Sequence, residues 1–89
     1  MLFRSKYNAK NLYAVLGALK MNKVRVTIDG APLTTENAGK DVRIEKGQSY
    51  VFVTEERTYD IVKGASYAEH TLELVAETSG LQVYVLMFG

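Results

Sequence analysis

The chain has 89 residues, 47% hydrophobic and 24% charged, and its 11 basic and 10 acidic side chains leave a formal charge of +1. That length allows one domain, residues 1–89, with a core too modest to enclose a large active site. The near-neutral balance gives no electrostatic footprint for nucleic acid or an anionic membrane, and the lack of cysteine excludes disulfides, thiolate metal sites and thiol chemistry. No apolar run approaches the ~20 residues that span a bilayer, and no signal-peptide pattern opens the chain.

Along the chain the dominant signal is period two. In Asn11-Leu12-Tyr13-Ala14-Val15-Leu16 apolar residues fall on both faces, which predicts a strand buried on both sides. Ala9, Leu12, Leu16 and Leu19 also have helical spacing, but Tyr13, Val15 and Gly17 favour the strand. Val24, Val26 and Ile28 alternate with Arg25, Thr27 and Asp29, the pattern of a half-buried antiparallel strand. Asp29-Gly30 before Ala31-Pro32 reads as a turn, with positive φ at the glycine. Residues 31–41 lack either period and form a surface loop or a crossover between sheets. Lys46-Gly47-Gln48 and Thr78-Ser79-Gly80 suit hairpins.

Ser49-Tyr50-Val51-Phe52-Val53-Thr54 is β-branched and aromatic throughout. Residues 57–63 fit a strand or a single helical turn equally well, and another loop starts at residues 63–66. His70, Leu72, Leu74 and Ala76 alternate with Thr71, Glu73 and Val75. Residues 81–88, apolar at nearly every position, are expected to form a central strand. Six or seven short strands separated by turns predict an antiparallel β-sandwich. Leu12, Leu16, Val24, Val26, Ile28, Phe52, Leu72, Leu74, Val83 and Val85 are expected to line its interior, being the apolar phases of their strands.

Few residues carry chemistry. His70 is the single histidine and reads as a partly buried strand-end residue hydrogen-bonded to backbone. Its neighbour Glu69 points to the opposite face, so the two do not form a dyad. One histidine and no cysteine leave too few ligands for zinc. Asp29, Thr34, Thr35, Glu36, Asn37 and Asp41 give residues 29–41 many oxygen donors, but without an EF-hand spacing they read as an ordinary polar loop, and no metal or cofactor is expected. Glu55-Glu56 sit on opposite faces if extended and do not make a glycosidase pair. No phosphate-binding glycine pattern occurs. Of the six tyrosines, Tyr13, Tyr50, Tyr59 and Tyr84 are the candidates for an aromatic ligand platform; the competing reading has each ring in the core and each hydroxyl in water.

Particular strings carry a resemblance. Tyr7-Asn8-Ala9-Lys10-Asn11-Leu12-Tyr13-Ala14-Val15-Leu16, Val24-Arg25-Val26-Thr27-Ile28-Asp29-Gly30-Ala31-Pro32-Leu33, Gly39-Lys40-Asp41-Val42, Thr58-Tyr59-Asp60-Ile61-Val62 and Glu69-His70-Thr71-Leu72-Glu73-Leu74 follow one another in a familiar order. The ending Gly80-Leu81-Gln82-Val83-Tyr84-Val85-Leu86-Met87-Phe88-Gly89 resembles the close of the domain that follows thioredoxin in DipZ-type cytochrome c biogenesis proteins and related redoxins. That resemblance implies a jelly-roll-like sandwich, similar to carbohydrate-binding modules, C-terminal to a thioredoxin fold and in a periplasmic or other extracytoplasmic setting. It implies a non-catalytic accessory role, since the family's Cys-x-x-Cys belongs to the neighbouring domain. The expected partners are that thioredoxin domain and a glycan or protein substrate; the alternative function is a carbohydrate-binding module. The family's upstream Gly/Trp strand is missing here, so an exposed edge and a symmetric homodimer through residues 2–7, which carry Phe3 and Tyr7, are also expected.

Overall fold

The structure, a computed structural model, describes residues 2–64 and 67–89. The described residues form nine strands: β1 (Leu2–Ala9), β2 (Leu12–Ala18), β3 (Asn22–Ile28), β4 (Ala31–Pro32), β5 (Val42–Glu45), β6 (Gln48–Val53), β7 (Arg57–Val62), β8 (Ala68–Ala76) and β9 (Leu81–Phe88). The larger sheet runs β1-β8-β3-β6-β5, with β4 on the flank of β3, and the smaller runs β7-β2-β9. Every pairing is antiparallel. The all-β antiparallel architecture agrees with the sequence reading. The loop expected at residues 63–66 lies partly outside the described residues.

Alternation in β3 and β8 places Val24, Val26, Ile28, Leu72, Leu74 and Ala76 on the inner face of the larger sheet, where they meet Leu12, Ala14, Leu16, Tyr59 and Ile61 of the smaller one. Two turns owe their shape to backbone left-handedness. Asp29 and Gly30 have φ of 54° and 82°, and Lys46 and Gly47 have 50° and 76°. Two consecutive positive φ values match the right-handed twist of hairpin strands, so β5 and β6 are joined by two residues, one fewer than expected.

Four expectations need correction. Phe52 faces outward and is only partly covered, because β6 buries Ser49, Val51 and Val53 instead. Residues 81–88 form an edge strand, with β2 central in their sheet. Their phase also breaks: Val15 pairs with Val85 but Leu16 with Val83, leaving Tyr84 in a bulge. An inserted residue flips the alternation that follows, so Val83 and Leu86 pack on the core while Val85 is 48% exposed. Thr78-Ser79-Gly80 is not a hairpin, since β8 and β9 lie in different sheets. The buried Asn22 side chain fastens this crossover by donating to the Thr78 carbonyl at 2.9 Å.

These positions make the phase testable. Leu74→Ala, at a fully buried site, should cost about 2–5 kcal/mol in urea unfolding. Val85→Ala should cost less than about 1 kcal/mol, since its side chain already stands in solvent. Equal losses would place Val85 inside.

Candidate functional site

The single histidine ends up in the one cluster that joins an imidazole to a carboxylate. The Asp29-Gly30 turn closes β3 onto β4 and swings Asp29 toward the adjacent strand β8. There the Asp29 carboxylate accepts the His70 ring N–H at Nδ1 (2.6 Å) and the Thr71 backbone N–H (2.8 Å). The Asp29 N–H in turn donates to the Thr71 carbonyl at 2.9 Å. His70 is thus half-buried, as expected, but held by a carboxylate rather than by backbone. The two residues are 41 positions apart, and no local pattern announces such a pair.

Next to this clasp lies a shallow groove on the outer face of the larger sheet, lined by Arg4, Lys6, Asp29, Gly30, Thr71 and Glu73. Arg4 Nε donates to Glu73 at 2.7 Å. On the other side of His70, Tyr7 sits with ring centroids 5.9 Å apart, and it stacks on Phe88 at 5.5 Å. Burial, and then the Asp29 charge, push the Tyr7 hydroxyl above its ordinary range. Hydrogen bonds from His70 and then from the Thr71 N–H hold the Asp29 carboxyl below the usual carboxylate range.

A dyad of this kind could orient an imidazole for proton transfer, but hydrolysis also needs a nucleophile within reach of the other ring nitrogen. Among the described residues no hydroxyl hydrogen-bonds to His70, whose ring bond goes to Asp29. The arrangement works as a clasp between the end of β3 and the start of β8.

The oxygen-rich residues 29–41 disperse. Asp29 serves the clasp, and Asn37 Oδ1 accepts the Thr34 N–H at 2.7 Å. The Thr34 hydroxyl accepts the Glu36 N–H. Asp41 accepts the Asp60 N–H at 2.7 Å and both amino groups of Arg57. Burial pushes the Asp41 carboxyl up, but the bonds from Arg57 and the Asp60 N–H outweigh it and hold it below the ordinary range. Among the described residues no three His, Asp or Glu side chains gather as metal ligands.

The four candidate aromatics do not all share a face. Tyr59 is fully buried, which removes it from any platform. Its hydroxyl donates to the Glu55 carbonyl at 2.7 Å and accepts the Thr54 N–H at 3.2 Å, tethering the β6–β7 connection. Tyr50 lies on the outside of the larger sheet beneath Lys23 Nζ, 4.2 Å from its ring centre. Tyr13 and Tyr84 belong to the smaller sheet, where the Tyr84 ring lies against Gly17 and leaves little room for a side chain there.

The sequence model of a family described as "thioredoxin like C-terminal domain" matches residues 3–89, nearly the whole chain. No curated protein matches the chain significantly.

The lowered carboxyls give stability a pH dependence of defined sign. A carboxyl whose folded pKa lies below its unfolded value of about 3.9 stabilises the fold above that value, and the contribution fades as pH falls through the folded one. The melting temperature should therefore drop on acidification below about pH 4. Asp29→Asn and Asp41→Asn should each lower it at neutral pH and flatten its acid slope in circular dichroism melts. An unchanged slope in both variants would contradict the assignment.

Proposed function

Because the chain belongs to the thioredoxin-like C-terminal domain family, we propose that it is the non-catalytic accessory β-sandwich of an extracytoplasmic thiol–disulfide oxidoreductase. In this role it holds a partner or protein substrate beside a thioredoxin fold that performs the exchange. The observation that carries the reading is the combination of this family membership with a sequence free of cysteine. Thiol–disulfide exchange proceeds by thiolate attack through a mixed disulfide, and this chain has no sulfur able to attack or be attacked. Its other chemistry supports a binding role: the one imidazole is engaged by a carboxylate, and Arg4–Glu73 and Arg57–Asp41 are surface ion pairs. The lack of thiols also suits an oxidising compartment, where an unpaired cysteine would be a liability.

A protein substrate fits better than a glycan, because Tyr59 is buried and Tyr50 lies on the other sheet, leaving only Tyr13 and Tyr84 on the outer face of the smaller one. The test compares the full oxidoreductase with a form lacking this domain, on a small-molecule disulfide and on a folded protein disulfide. Loss of the domain should leave turnover of the small disulfide unchanged and raise KM for the protein substrate several-fold. An equal loss on both substrates would mean that the domain contributes to the chemistry itself.

A further inference from the structure

The two sheets present four outer strands, and three of them are guarded against pairing with another chain by short length, charge or a covering loop. At one edge of the larger sheet β5 is only four residues long. At the other, β1 carries Arg4 and Lys6 on its outward face. In the smaller sheet the free flank of β7 is covered by segment 37–41: the Gly39 N–H reaches the Ile61 carbonyl at 2.8 Å, and the Lys63 N–H reaches that of Asn37 at 2.9 Å. Short length, charge and a covering loop are the usual protections of a sheet edge. The remaining edge, β9, has none of these three; its one protection is the bulge at Tyr84, beyond which residues 85–88 run regularly. It runs eight residues, Leu81–Phe88, with no charge and no proline, and pairs with β2 on one side only. Tyr84, Val85, Met87 and Phe88 on it are 39–52% exposed.

We propose that this edge is a homodimer interface, in which β9 pairs antiparallel with β9 of a second copy to give a continuous sheet β7-β2-β9-β9-β2-β7. Charge decides between the two long edges. Pairing β1 with itself about a two-fold axis at Arg4, Ser5 or Lys6 sets cation against cation, which is unfavourable for residues directly opposed. β9 is uncharged and therefore compatible with itself in every register. The self-association expected through residues 2–7 is placed here instead.

The bulge leaves residues 85–88 as the regular stretch for pairing, and the proposed register is centred there. Beyond Tyr84 the strand recovers its alternation, with Val85 and Met87 outward and Leu86 toward the core. A two-fold axis through Leu86 puts Val85 opposite Met87 of the second copy and Met87 opposite its Val85, on the same outer face. Tyr13 and Val15, the outward residues of β2 beside them, extend that apolar surface across both copies. Leu86 meets its own counterpart on the inner side.

The test is sedimentation equilibrium of the 89-residue chain from tens of micromolar to about 1 mM, the range in which a small edge-to-edge contact is measurable. The expected result is a reversible monomer–dimer equilibrium. Two double variants read the register, and circular dichroism melts verify that each is folded. Val85→Lys with Met87→Lys sets lysines against lysines in both symmetric pairs and should weaken the dimer at least about tenfold. Val85→Lys with Met87→Glu removes the same apolar groups but sets lysine against glutamate, and should keep the dimer within a few-fold of the natural chain. Lys6→Glu on β1 should leave it unchanged. A monomer throughout the range, equal loss in both double variants, or a dimer altered by Lys6→Glu would each overturn the proposal.

Discussion

The segment between β4 and β5 ties the two sheets together through its backbone, and it closes one flank of the sandwich. It leaves the larger sheet at Leu33, whose N–H is bound by the buried Ser49 hydroxyl at 2.9 Å; that hydroxyl donates in turn to the Val26 carbonyl. It then crosses to the smaller sheet, where Ala38 bridges Val62 and the Gly39 and Asp41 amides bond β7 carbonyls. Backbone groups at a buried edge must find partners, and this strap supplies them for β7. Gly39 is required there, because a methyl group would run into the carbonyl and carboxyl of Asp60. Asp41 then locks the strap to Arg57, which lies over the Tyr59 ring at 3.9 Å. One glycine, one carboxylate and one tyrosine thus join the edge of a sheet to the core beneath it.

The opposite flank is held differently. There β1 and β9 approach through side chains, Tyr7 stacked on Phe88, and through the Gly89 carbonyl, which accepts the Lys10 and Asn11 amides. Tyr7 lies between that stack and the His70 ring, and its buried hydroxyl has no hydrogen-bond partner among the described residues. The Asp29 clasp fixes His70 against this flank from the larger sheet. The flank with the free strand edges is therefore also the one where the buried tyrosine and the histidine–carboxylate pair sit. A backbone strap seals one side, and the other is held by side-chain packing with a few backbone bonds at Gly89.

This division fits the binding role proposed above for the domain. Its most organised polar groups, Asp29 with His70 and Asp41 with Arg57, each end in a structural contact with backbone as well as with each other. Such groups are committed to these contacts in the folded state. Apolar surface, by contrast, is left exposed at Val85 and Met87 on the outer face of the smaller sheet.

The sequence by itself determined the strands with one polar face, because strict alternation in β3 and β8 has only one arrangement that buries Val24, Val26, Leu72 and Leu74. It also carried the family, since the ordered strings span nearly the whole chain. Where apolar residues occupy both phases, alternation says nothing: Phe52 and Val51 were equally eligible for the core, and partners across the sandwich chose Val51. The same ambiguity made β9 look central, whereas its bulge opposite Val15 and Leu16, set by pairing with β2, turned Val85 outward and left the strand at an edge. The Asp29–His70 pair and the Tyr59 tether were decided only by tertiary structure. A hydrogen bond between strands depends on which strands become neighbours, and that choice belongs to the packing of the whole core rather than to any local run of residues.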